Sequence, residues 1–109
     1  MAETRKVLGQ SNPGAASLTA LYTVPGATQA VVSTLAVCNR SAVATAFRVS
    51  VAVAGAADAP EQYVYYDVTI AGNDTFAATI GITLGPADVV RVYATLATLS
   101  FCLFGVEVS

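Results

Sequence analysis

At 109 residues the chain is long enough to bury one hydrophobic core and too short for two. A composition of 55% hydrophobic and 11% charged residues excludes intrinsic disorder, because the apolar surface available offsets chain entropy. Five basic against seven acidic residues, in no sign-segregated block, leave no nucleic-acid footprint, and the absence of histidine removes His-based triads and His metal sites.

In chain order, the first seventeen residues lack hydrophobic alternation and carry Gly9, Pro13 and Gly14. They are expected to form an extended N-terminal arm, residues 1–17, lying on a neighbouring protein with Val7 and Leu8 as its apolar anchor. The charged start leads into Gly9-Gln10-Ser11-Asn12-Pro13 and not into an apolar run, so no signal peptide is expected. Residues 18–109 then read as a single all-β domain. Short runs of valine, threonine, isoleucine and aromatics alternate with turn formers, among them Pro25-Gly26, Asn39-Arg40-Ser41, Gly72-Asn73-Asp74 and Gly85-Pro86. Strands are predicted near 18–24, 29–39, 44–54, 61–70, 75–84, 88–95 and 99–108, forming an antiparallel β-sandwich of jelly-roll-like or Ig-like topology.

Alternation is clearest over 47–54, where Phe47, Val49, Val51 and Val53 share the core face. Over 62–70 strict alternation places Val64, Tyr66, Val68 and Ile70 on one side and Tyr63, Tyr65, Asp67 and Thr69 on the other. Tyr63 and Tyr65 are therefore the candidate contact face for a sugar or a protein, since tyrosine offers contact area and a polar tip; cross-strand packing is the competing reading. From Phe101 to Phe104 the last strand is apolar on both faces, which a single sandwich covers poorly. Phe101, Leu103 and Phe104, with Val7 and Leu8, are accordingly expected at an interface between subunits of a homo-oligomer. The apolar runs are too short for a membrane helix.

No catalytic chemistry is legible. The seven carboxylates fall one per turn or strand end, so no acid/base pair is predicted, and Asp58 with Glu61 reads as an acidic loop in preference to a calcium site. Serine and threonine lack a partner base, and there is no glycine-rich phosphate loop. No cofactor or metal is expected, and the chain does not read as an enzyme. Cys38 and Cys102 lie in apolar runs and are expected to be free, buried thiols. Arg40, Arg48 and Arg91, each isolated among apolar neighbours, are expected to pair with Asp67, Asp88 or Glu107.

Several stretches taken together carry a resemblance: Leu8-Gly9-Gln10 before Pro13, Leu21-Tyr22-Thr23-Val24-Pro25-Gly26, Ala30 to Leu35 with Cys38-Asn39-Arg40, Tyr65-Tyr66-Asp67, Asn73-Asp74-Thr75-Phe76, and Phe104-Gly105-Val106-Glu107. From about residue 8 to its end the chain resembles small all-β virion structural proteins of tailed bacteriophages. The resemblance implies a particle component made in the host cytoplasm and built into the virion as a homo-oligomer. A capsid cement or decoration protein is expected, a trimer because shell sites offer threefold symmetry, in contact with the major capsid protein. A tail or baseplate-associated adhesion protein is the alternative. The resemblance transfers no active-site residues and implies neither nucleic acid nor membrane as a partner.

Overall fold

The computed structural model describes residues 2–109. Its strands are β1 (Glu3–Ser11), β2 (Thr19–Thr23), β3 (Gln29–Asn39), β4 (Thr45–Ala52), β5 (Tyr63–Ile70), β6 (Thr75–Leu84), β7 (Val89–Ala94) and β8 (Leu99–Val108), with single 3-10 turns at Val53–Gly55 and Pro60–Gln62. Two four-stranded antiparallel sheets form, in the orders β1-β8-β3-β6 and β2-β7-β4-β5. Within them β1 pairs with β8, β2 with β7, β3 with β6 and β4 with β5, so the chain is one long hairpin rolled into a sandwich. That is jelly-roll order, and of the two topologies expected it excludes the Ig-like one.

The core follows from alternation. Phe47 and Val49 on β4, Val90, Val92 and Ala94 on β7, Val32, Leu35 and Val37 on β3, and Leu99, Phe101 and Leu103 on β8 are all sealed from solvent. Phe47 sits at the centre, its ring 5.3 Å from that of Phe76, 6.1 Å from Phe101 and 6.3 Å from Tyr65. The Asn39 side chain is the buried polar strut at one end, donating to the carbonyls of Val43 and Ala71.

Three expectations are corrected by this arrangement. Residues 3–11, expected as an arm outside the sandwich, form β1, an edge strand paired along its length with β8. Alternation is absent there because a β-bulge lies between Val7 and Gly9. The extra residue, Leu8, turns into the core, while Val7 stays on the outer face, 46% exposed. The two residues expected to act as one anchor therefore point to opposite sides. Likewise Phe101 and Leu103 belong to the chain's own core, and of the expected β8 interface residues only Phe104, half-buried, faces outward. Cys38 and Cys102 are free, as expected, but half-buried on the outer face of the first sheet and not in the core.

At the β1–β2 side the two sheets close tightly, and Gly9 makes this feasible: a Cβ there would collide with the Leu21 carbonyl oxygen. Beside this seam the Tyr22 hydroxyl donates a 2.6 Å hydrogen bond to Glu107 Oε2, and Lys6 Nζ lies 3.4 Å from Glu107 Oε1. Burial, reinforced by the Glu107 charge, pushes the Tyr22 phenol far above the usual tyrosine range; the hydrogen bond from Tyr22, aided by Lys6, holds the Glu107 carboxyl below the usual glutamate range. The folded state thus retains the Tyr22 proton where the unfolded chain releases it. Its stabilising share is complete below about pH 10 and is lost as pH rises beyond it. For Glu107 the share is present at neutral pH and is lost as acid titrates the carboxylate. Tyr22→Phe is expected to cost about 1.5 kcal/mol at pH 7, the scale of a hydrogen bond to a charged group. Urea midpoints measured from pH 7 to 11 should fall less steeply for the variant than for the parent; parallel curves would sink the assignment.

Candidate functional site

The outer face of the second sheet carries a groove of about 550 Å³ lined by Arg48, Asp58, Ala59, Pro60, Tyr63 and Tyr66. Its floor is made by an irregularity in β5. Phe47 pairs with Val68 and Val49 with Tyr65, so Tyr66 and Asp67 together face the single residue Arg48. This bulge is possible because Asp67 adopts a left-handed backbone, φ 52°, which aspartate tolerates better than most residues. A second shift, between Val49 and Ser50, skips Val64.

Because a strand's faces alternate with period two, an inserted residue exchanges them for everything beyond it. Tyr65 consequently turns inward, its ring 5.4 Å from that of Phe76, and Tyr66 turns outward beside Tyr63. The expected contact pair Tyr63 and Tyr65 is therefore corrected: Tyr65 packs against the core, and the outward pair is Tyr63 with Tyr66, perpendicular rings 5.1 Å apart. Arg48, on β4, lies with its guanidinium carbon 4.2 Å from the Tyr66 ring centre and 4.5 Å from that of Tyr93 on β7. Arg48 Nε donates to Asp67 Oδ1 at 2.6 Å and Nη2 to Oδ2 at 3.4 Å, a two-pronged pair of the expected kind. The guanidinium is thus held in a plane by two rings and a carboxylate.

The second wall is the segment between β4 and β5, which folds back over the sheet. Arg91 ties it down by donating to the carbonyls of Ala56 and Gly55, and Asp88 accepts from the Ala54 amide at 2.9 Å. Neither residue forms the ion pair expected of it; both secure loop backbone. The Tyr63 hydroxyl donates to Asp58 Oδ2 at 3.1 Å, and burial, together with this bond, holds the Tyr63 phenol above its usual range. Beneath the segment the Ser50 hydroxyl is sealed without a partner.

Chemically the groove offers aromatic area, one carboxylate with a free oxygen and guanidinium donors not used by Asp67. That set can bind and orient a partner. The hydrogen-bonded pairs of the groove are Tyr63 with Asp58 and Arg48 with Asp67. Among the described residues no group of three His, Cys, Asp or Glu is placed to hold a metal ion, and no helix is long and apolar enough to cross a membrane.

A different surface covers the first sheet. Cross-strand rows on its outer face read Val7, Phe104, Thr34, Thr79; then Gln10, Cys102, Ala36, Ala77; then Arg5, Val106, Val31, Thr83. β3, β6 and β8 contribute no charged side chain to it, since their single charged residue, Glu107, is turned to Tyr22. Val31 remains 40% exposed. No protein-family model, curated protein or solved structure matches the chain.

Proposed function

We propose that the chain is a virion structural protein of a tailed bacteriophage, a capsid cement or decoration protein that self-associates, as a trimer, and binds the major capsid protein. The observation that carries this reading is the charge-free outer face of β8, β3 and β6. A flat surface of Val, Ala, Thr, Cys and Phe over three adjacent strands is a liability for a freely diffusing monomer and an asset for a part that is locked into an assembly. The jelly roll supports it, because two four-stranded sheets packed on one core form a rigid block that can be tiled. The role is one of building and binding, not of catalysis. A tail or baseplate adhesion role is the second reading, favoured by the groove at Arg48, Tyr63 and Tyr66, which has the aromatic area and polar groups of a recognition site.

Quantitative mass spectrometry of purified particles decides between them. A copy number comparable to that of the major capsid protein is expected. A few copies per particle would favour the tail reading, and absence from particles would overturn both.

A further inference from the structure

The groove on the second sheet is held open by contacts that lie outside it. Its outer wall, the segment between β4 and β5, is tied down by Arg91 through the carbonyls of Gly55 and Ala56 and by Asp88 through the Ala54 amide. Its floor is fixed as firmly: Arg48 is held by the Tyr66 and Tyr93 rings and by Asp67, and Tyr63 by the Asp58 carboxylate and the Tyr66 ring. Side chains already immobilised in this way lose little freedom on binding. What they present is chemically mixed. The perpendicular rings of Tyr63 and Tyr66, with Ala59 and Pro60, supply apolar surface, Asp58 Oδ1 accepts, and the guanidinium hydrogens not used by Asp67 donate. Tyr66, 58% exposed, adds a hydroxyl that can do both.

We propose that this groove binds a neutral saccharide, a pyranose ring with its apolar C–H face on the tyrosine rings and its hydroxyls reaching Asp58 and Arg48. Charge and hydrogen-bonding capacity select this class. An anion would meet the Asp58 carboxylate beside an Arg48 already neutralised by Asp67, and a cation would meet the Arg48 guanidinium. A proline-rich segment would suit the rings, but its prolines offer only carbonyl acceptors and would leave the Asp58 carboxylate desolvated with no donor. A ring of hydroxyls, each both donor and acceptor, satisfies Asp58 and Arg48 together, while its C–H face uses the aromatic area. At about 550 Å³ the groove falls within the size range of small-ligand sites. The proposal rests on reading the groove as a recognition site and is independent of the capsid reading.

The test is saturation-transfer difference NMR on the full chain with the methyl glycosides of glucose, galactose, mannose and N-acetylglucosamine at millimolar concentration. At least one should receive saturation on its ring C–H protons. Tyr66→Ala and Asp58→Ala, both at exposed positions, should each weaken that binding about tenfold or more with an unchanged β-type circular dichroism spectrum. If Tyr66→Ala alters the spectrum, Tyr66→Leu replaces it, since leucine still covers the Arg48 stem. Gln10→Ala, on the first sheet, should bind as the parent does. No transfer to any of the four glycosides, transfer undiminished in both groove variants, or tighter binding of the anionic methyl glycoside of N-acetylneuraminic acid would each overturn the proposal. A proline decapeptide that shifts the Tyr63 and Tyr66 amide resonances where no glycoside does would overturn the saccharide and leave the groove a recognition site. The virion reading fails or stands separately, on particles alone.

Discussion

Phe47→Ala should be among the most damaging single substitutions in the protein, with an expected loss of about 3–5 kcal/mol. Phe47 has no exposed surface, and its ring touches those of Tyr65, Phe76 and Phe101, so truncation removes buried area on both sheets at once. The surrounding strands are held by their ladders and cannot collapse into the space, which is the condition under which a cavity costs most. Against a total of about 5–15 kcal/mol for a domain of this size, the variant should unfold at markedly lower urea, and a midpoint within error of the parent would show that the ring is not the keystone of the core.

Phe47 and Val49 are legible in the sequence because β4 keeps strict alternation through its first half. The pattern misleads only where the strand ends: Val53, expected on the same face, lies in the 3-10 turn beyond Ala52 and is 70% exposed. In β8 the excess of apolar residues is legible, though not which of them face outward. What sequence reading loses is the facing of residues at a bulge and between two bulges. Tyr65 and Tyr66 exchange faces because an inserted residue is defined by the strand opposite, and the run of residues that contains it looks the same with or without it. The one local hint at the β5 bulge is an aspartate where the backbone turns left-handed, and Asp67 is too ordinary a residue in a strand of tyrosines to reveal that alone.

The groove is half legible for the same reason. That Arg48 should pair with one of Asp67, Asp88 or Glu107 is readable, though not with which, and Tyr63 is readable as a contact residue. Tyr66 and Tyr93, which hold the guanidinium from two sides, come from strands distant in sequence, and only the pairing of β4 with both β5 and β7 brings them together. β1 escapes sequence reading at a larger scale: a strand that starts the chain and pairs with its last strand has no partner nearby in sequence to announce it.

Gly105→Ala tests how closely the backbones must approach in the centre of the first sheet. Gly105 lies on β8 opposite Lys6 of β1 and Val32 of β3, next to the points where both neighbours are bulged. A Cβ at Gly105 would collide with the Val31 carbonyl oxygen and come to 2.9 Å from Leu8 Cδ1. The leucine could turn aside, but the carbonyl belongs to a central strand and can move only with the sheet. Adding one methyl group is therefore expected to cost about 3 kcal/mol or more, at the upper end of overpacking. Gly26→Ala is the matched control. Nothing lies within 4 Å of its added Cβ, and its backbone is not left-handed, so the same chemical change should be neutral or stabilise by about 0.4–1 kcal/mol through the unfolded chain. Urea unfolding of the two variants should place them on opposite sides of the parent or leave Gly26→Ala level with it. Equal midpoints would show that β3 and β8 can part at this point.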